Sequence, residues 1–396
     1  MSTSGSEHPF DRLSIEDLRR RSSLKWTAHP EDVLPLWIAE MDFPTAEPVV
    51  EALRNAVEHE EFGYAPRGQS TDLPAAVADW QSRHYGWTVD PARVHILPDV
   101  VHSIGVAIET FSPAGSGVVI PTPAYMPFFA LAHNLERPVM EAPMLGHGLD
   151  ASLNLPAVEA AFARGAKTLI LCQPHNPIGR VFRRDELTAL SAIVDSYGAR
   201  VVSDEIHSPL VFPGAQHIPY ASISETTAAH TITAVSATKA WNLAGLNCSQ
   251  VILSNDADQE RWESLSLLKT HGATPFGIRA SIAAYRDGSE WLDDVVSYLD
   301  GNRRLLAELL ADRLPGIGYV APEATYLGWL DCSDLELNTE PADFFLQHAR
   351  VALSAGSPFG PNGRGHARFN FATSRPVIER AVAAMAGALK QRRITK

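Results

Sequence analysis

The feature that most constrains this chain is a series of short apolar runs in its middle third, separated by stretches with helical spacing. The runs are Gly117–Ile120, Thr168–Cys172, Arg200–Ser203, Thr231–Val235 and Gln250–Leu253. A strand with water on one face alternates apolar and polar side chains, whereas a strand buried on both faces reads as a continuous apolar run. These runs begin roughly 20 to 50 residues apart, which leaves room for crossover helices such as one predicted around Asp185 to Tyr197. The pattern therefore predicts a mainly parallel α/β sheet. Such a sheet binds its ligands at the carboxyl ends of the strands.

At 396 residues the chain is longer than one hydrophobic core usually supports. Its final third also has a different texture. A long helical pattern covers Ser289 to Arg313, short alternating strands follow at Tyr326–Asp331 and His366–Phe371, and a helix closes the chain. We therefore expect a large domain over residues 45–285 and a smaller α+β domain built from residues 1–44 and 286–396. The first of these segments fits either domain and is assigned to the smaller one.

Charge excludes some partners. The balance of 33 Lys+Arg against 46 Asp+Glu gives a formal charge of -13, which repels nucleic-acid backbones and anionic membrane surfaces. The triplet Arg19, Arg20, Arg21 is the one basic cluster, and beside Glu16 and Asp17 it reads as a solvated helix face. The three cysteines, Cys172, Cys248 and Cys332, are isolated from one another. They imply neither a disulfide framework nor a metal or redox pair, and they favour a reducing, cytoplasmic compartment. The first twenty residues are polar and show no secretory signal. The longest apolar run, Ala381–Leu389, has nine residues, against the roughly 20 that span a bilayer. No nucleic-acid or membrane partner is expected.

Three polar residues stand at or just beyond the ends of apolar runs. Lys239 follows the run ending at Val235, within Ser236-Ala237-Thr238-Lys239-Ala240-Trp241-Asn242. An amine at a strand end can condense with an aldehyde while Ser236 and Thr238 hold a nearby phosphate. From this window alone a solvated loop lysine fits as well. Asp204 ends the run Val201-Val202-Ser203, with Glu205, Ile206 and His207 after it. A buried carboxylate there needs a cationic partner, and the protonated ring nitrogen of pyridoxal 5′-phosphate (PLP) is one. A helix cap or an ordinary ion pair is the alternative. Asn176, in Asn176-Pro177-Ile178-Gly179, adds an amide at the end of a third strand. His175 beside it has no second histidine at metal-binding spacing, so no metal is expected.

Further segments turn these three positions into a pattern. They are Leu36-Trp37-Ile38-Ala39-Glu40-Met41-Asp42-Phe43, Gly63-Tyr64-Ala65-Pro66-Arg67-Gly68, Pro121-Thr122-Pro123-Ala124-Tyr125, Gln173-Pro174-His175-Asn176-Pro177, Asp204-Glu205-Ile206-His207, Thr325-Tyr326-Leu327-Gly328-Trp329 and Ala367-Arg368-Phe369-Asn370. In this order the chain resembles fold-type I PLP enzymes of the aminotransferase class I/II superfamily, and within it the MalY/PatB branch of cystathionine β-lyases. The resemblance implies the PLP-dependent aminotransferase-like fold: a large domain with a mainly parallel seven-stranded sheet plus a smaller α+β domain.

The resemblance also implies roles. Lys239 would hold the cofactor aldehyde and act as the catalytic base, Asp204 would pair with the ring nitrogen, and Tyr125 would stack on the ring. Asn176 would contact the ring oxygen, with His207 close to it. Val100 and Val101 would offer backbone N–H groups to the phosphate, joined by Ser236 and Thr238. Arg368 would clamp the substrate carboxylate, with Ala39 and Asn176 beside it. Tyr64 would reach the cofactor of a neighbouring subunit, which implies a homodimer with active sites at the interface. Two positions depart from the pattern. Asn247 stands where many aminotransferases have a phosphate-binding arginine, and Asp99 puts a negative charge near the phosphate.

The function implied is a C–S β-lyase of amino-acid metabolism and methionine biosynthesis. It would cleave L-cystathionine or a related S-substituted L-cysteine to a thiol, pyruvate and ammonia. The alternatives are an aminotransferase, an enzyme of a specialised S-cysteinyl biosynthetic intermediate, and a regulatory protein that binds another protein, as some members of the branch do.

Overall fold

The computed structural model describes residues 8–66 and 71–395; Arg67 and Gly68 of the resemblance lie outside the described residues. Strands are numbered in chain order: β1 Leu34–Pro35, β2 Val94–Leu97, β3 Gly117–Thr122, β4 Val139–Pro143, β5 Ala166–Cys172, β6 Arg200–Asp204, β7 Thr231–Val235 and β8 Ser249–Leu253. They continue with β9 Gly318–Tyr319, β10 Leu327–Asp331, β11 Val351–Ala352, β12 Ser354–Ala355 and β13 His366–Asn370. A seven-stranded sheet in the order β2-β8-β7-β6-β5-β3-β4 forms the centre. Only β8 runs against its neighbours in this sheet, pairing antiparallel with both β7 and β2. The five apolar runs lie inside β3, β5, β6, β7 and β8, and each of those strands except β5 and β6 is buried at every position.

The central strands are covered on both faces, as their apolar character requires. The helix Val100–Phe111 packs across β6, β7 and β8, and Ile104, Ile108 and Phe111 on it join the core with Val202, Ile232 and Val251. On the other side, Leu187, Leu190 and Val194 of the helix Arg184–Ser196 bury against Leu169, Leu171 and Val201. Because β3, β5, β6 and β7 are parallel, their carboxyl ends share one edge. That edge carries Asp204, and Asn176 and Lys239 lie just beyond it.

A second sheet, β12-β13-β10-β9, is antiparallel throughout. The helix Ser289–Arg313 and the closing helix Arg375–Thr395 pack against each other beside it. The pairing of β1 with β11 ties residues 34–35 to residues 351–352. The basic triplet differs from expectation. Arg20 does form exposed ion pairs with Glu16 and Asp17, but Arg19 donates to the carbonyls of Trp26, Glu31 and Val33. Arg21 donates to the carbonyls of Asp42 and Phe43 at 2.7 and 3.1 Å. Arg19 in the short helix Ile15–Arg20 and Arg21 at its C-cap thus pin down the chain after it.

Candidate active site

A cavity of about 210 Å³ opens at the carboxyl edge of the large sheet. Its lining brings together Ala39, Val100, Val101, Tyr125, Asn176, Asp204, His207, Thr238 and Lys239 from the predicted set. Asp99, Asn247 and Cys172 line it too. Arg368 stands one contact further out, donating from Nη1 to Asn176 Oδ1 at 3.1 Å. Ser236 and Tyr64 are not part of the lining. Ser236 Oγ donates to the Cys248 carbonyl at 2.6 Å and accepts from Thr238 N at 3.1 Å, so it caps and braces the Lys239 turn. Tyr64 is fully exposed.

The electrostatics follow from burial. Lys239 Nζ donates to the Ala39 carbonyl at 2.8 Å. Its pKa is pushed down to about 8, chiefly by desolvation and then by the Arg368 charge. Asp204 is buried, and its pKa is pushed up to about 7 by desolvation, with the Glu205 charge adding to the rise. Its Oδ1 accepts from Ile206 N at 3.1 Å. His207 is held neutral: desolvation, then the Lys239 and Arg368 charges, lowers its pKa to about 3. Desolvation likewise lowers Arg368 to about 10. A cationic group entering beside Asp204 would recover the interaction energy that burial has removed from this carboxylate.

A strap of chain that includes Trp37–Asp42 crosses between the two sheets, and side chains grip it carbonyl by carbonyl. Arg368 and Ser354 donate to Trp37 O, and Asn370 donates to Ile38 O at 2.7 Å and Glu40 O at 2.6 Å. Tyr326 joins Lys239 on Ala39 O at 3.0 Å, and Asn242 donates to Met41 O at 2.9 Å. Below the strap, Lys25 and Asp42 form a buried ion pair at 2.9 Å, and Trp26 Nε1 donates to the same carboxylate at 2.7 Å. Tyr326, Asn370 and Asn242 carried no assigned role in the sequence. Asn370 had one usable signal, since it alternates with Arg368 and so shares its face of β13.

The donor set fits PLP. Lys239 is an amine close to neutrality, and Asp204 is a buried carboxylate with no ion-pair partner among the described residues. Asn176 spends its Oδ1 on Arg368 and keeps an amide N–H₂ for a ring oxygen. The first N–H groups of the helix Val100–Phe111 have no partner within the helix, and Val100 and Val101 face the cavity. Asp99 does not oppose an anion there in the way its charge suggested. Its Oδ1 is turned back to accept from His102 N at 2.8 Å as the cap of that helix.

The chain is similar to known proteins over nearly its whole length. The family described as "Aminotransferase class I and II" matches residues 31–385. A cystathionine beta-lyase of Corynebacterium glutamicum is 40% identical over 376 residues, covering 95% of this chain and 99% of its own. Cystathionine beta-lyase PatB of Bacillus subtilis is 33% identical over 378 residues, covering 93% and 97%. The crystal structure of a PLP-bound C-S lyase from Staphylococcus hominis superposes with a TM-score of 0.88 at 28% identity, covering 96% of this chain and 99% of its own.

Proposed function

The chain belongs to the aminotransferase class I and II family, and from that premise we propose that it is a PLP-dependent C–S β-lyase acting on L-cystathionine or a related S-substituted L-cysteine. The observation that carries this reading is one cavity holding Lys239, Asp204 and Asn176, with Arg368 on Asn176, in a chain whose 33–40% identical relatives are named cystathionine beta-lyases. Asp204 would hold the ring nitrogen of the cofactor, Asn176 and His207 would serve its ring oxygen, and Tyr125 would cover the ring. Val100, Val101 and Thr238 would hold the phosphate. What the cofactor supplies when bound is an electron sink for the carbon that loses its proton.

The residues of the chain do the rest. The Arg368 guanidinium, fixed by Asn176, Trp37 O and Ser354 Oγ, orients the substrate carboxylate. Lys239, its pKa near neutrality, takes the Cα proton. The Cα–H and Cβ–S bonds break, and sulfur leaves as thiol. With the uptake of one water, the remaining three carbons and the nitrogen depart as pyruvate and ammonia. Ala39 O, which accepts from Lys239 and Tyr326, holds the amine at the wall of the cavity.

The active unit is a homodimer. Support comes from Phe62, Tyr64, Leu267 and Leu268, large apolar or aromatic side chains that are 66%, 106%, 69% and 80% exposed in the single chain. Tyr64 would complete the partner's phosphate site. No described helix is long and apolar enough to cross a membrane, and the reading places the activity in the cytoplasm, where free cysteines stay reduced.

The deciding experiment incubates the purified protein with PLP and L-cystathionine, with and without an oxo acid, and quantifies pyruvate and thiol. Equal pyruvate and thiol, independent of the oxo acid, is the expected result. Turnover that requires the oxo acid would replace the reading with an aminotransferase.

A further inference from the structure

Tyr326 lies immediately before β10, and the chemistry above gives it no task of its own. It is fully buried, and burial pushes its phenol well above the usual range, so it keeps its proton. Its hydroxyl donates to Ala39 O at 3.0 Å, and Lys239 Nζ donates to the same oxygen at 2.8 Å. A carbonyl oxygen has two lone pairs, so these two donors fill it. Ala39 is itself buried and lines the active cavity. The backbone that carries the phenol is fixed on both sides: Thr325 N donates to Leu210 O at 2.8 Å, and Tyr326 O accepts from Phe371 N at 3.0 Å. Thr325 has a φ of 71°, a left-handed conformation that is costly for a β-branched residue and persists only where its surroundings over-determine it.

The two donors on Ala39 O have different duties. Lys239 condenses with the cofactor aldehyde, with loss of one water, and in doing so its nitrogen leaves the carbonyl. Tyr326 has no such duty and stays. A buried carbonyl deprived of every donor costs more than a hydrogen bond is worth on balance, so a chain without the phenol would hold its amine back from the cofactor. We propose that Tyr326 is a positioning residue for Lys239: it keeps Ala39 O bonded at all times and so frees the amine to move to the cofactor without stranding the strap. The inference rests on the reading of the active cavity as a PLP site.

The test measures PLP affinity of the full-length apoproteins by tryptophan quenching, with thermal melts alongside. In the Y326F apoprotein the ring stays and Lys239 still covers Ala39 O, so no acceptor is stranded and the fold is expected to hold. Committing the amine to the cofactor then bares the carbonyl, and we expect PLP binding about tenfold weaker than in the parent. K239A has no amine to move, so K239A/Y326F is expected to bind PLP within about twofold of K239A. A phenol that touched the cofactor, or only supported the fold around it, would weaken binding by the same factor in both backgrounds. Parent-like binding by Y326F would overturn the inference, and so would an equal loss on adding Y326F to the parent and to K239A. The melts give a second reading that needs no cofactor. K239A/Y326F strips Ala39 O of both described donors, so its melting point should fall by more than the two single shifts combined, and additive shifts would overturn the inference as well. Failure of the parent apoprotein to bind PLP at all would overturn the cofactor reading instead.

Discussion

Desolvation raises the pKa of Asp204 from 3.8 to about 7, and this shift makes the carboxylate a liability to the apoprotein. Between those two values the folded state holds a proton that the unfolded chain has released, so stability falls as pH rises through the window. The cost is absent below pH 4 and fully present above pH 7. Asp204→Asn is therefore expected to stabilise the apoprotein by about 2–4 kcal/mol at pH 8 and to change little at pH 4. It should also abolish most of the stabilisation that added PLP confers. Urea unfolding of the apoprotein at the two pH values, with and without PLP, reads both effects, and an equal change at both pH values would contradict the assignment. Lys239→Ala is expected to lower pyruvate release at least about a thousandfold, because both the covalent anchor and the base are lost. Circular dichroism should be unchanged, since the Lys239 side chain makes one described hydrogen bond, to Ala39 O. Lys239 and Asp204 stood out in the sequence because each lies at or just beyond the end of an apolar run, but only the order of the other segments of the resemblance set them apart from a loop lysine and a helix cap. Ser236 was legible as a residue but not as an atom: nothing in its neighbours foretold that its proton goes to the Cys248 carbonyl.

At the scale of elements, the strap around Trp37–Asp42 links the two sheets to the catalytic amine, and its foundation is the Lys25–Asp42 pair, buried on both sides. Removing one partner of such a pair strands the other charge. Lys25→Met is therefore expected to cost about 3–5 kcal/mol, and Lys25→Met/Asp42→Leu to recover much of it. Denaturant midpoints of the three proteins check this, and a double variant weaker than Lys25→Met would contradict it. The strap was quoted for its sequence but not understood from it, since the bonds that hold it end on backbone carbonyls, which every residue has. Strand legibility divides the same way. Strands β3, β5, β6, β7 and β8 are buried and read as apolar runs, and the long helix expected from about Ser289 to Arg313 is present. Strand β4 was not foreseen. It lies at the sheet edge with Val139 and Glu141 exposed and ends at Pro143, so its composition reads as loop. Strand β2, at the opposite edge, is four residues long and only half buried, too short to show a period.

On the scale of the whole molecule, we propose that residues 45–285 form one domain and residues 1–44 with 286–396 the other. The pairing of β1 with β11 favours that division, as does the grip of Arg21 on the carbonyls of Asp42 and Phe43. A single chain then leaves one requirement open. Tyr64 is exposed and lies outside the lining of its own chain's cavity, while the phosphate end of that cavity offers helix N–H groups and Thr238 but, with Asn247 in the lining, lacks the arginine that many relatives use there. A homodimer in which Tyr64 enters the partner's site meets both conditions. This makes complementation the sharpest test. In such a dimer each site takes Lys239 from one chain and Tyr64 from the other. Lys239→Ala homodimers should be inactive and Tyr64→Ala homodimers impaired. Mixed dimers of the two variants carry one site with both residues intact and one with neither. If equal amounts are co-expressed so that chains pair at random, half of the dimers are mixed, and activity should return to about one quarter of the parent protein's. Activity no higher than the average of the separate variants would mean that Tyr64 serves its own chain or none.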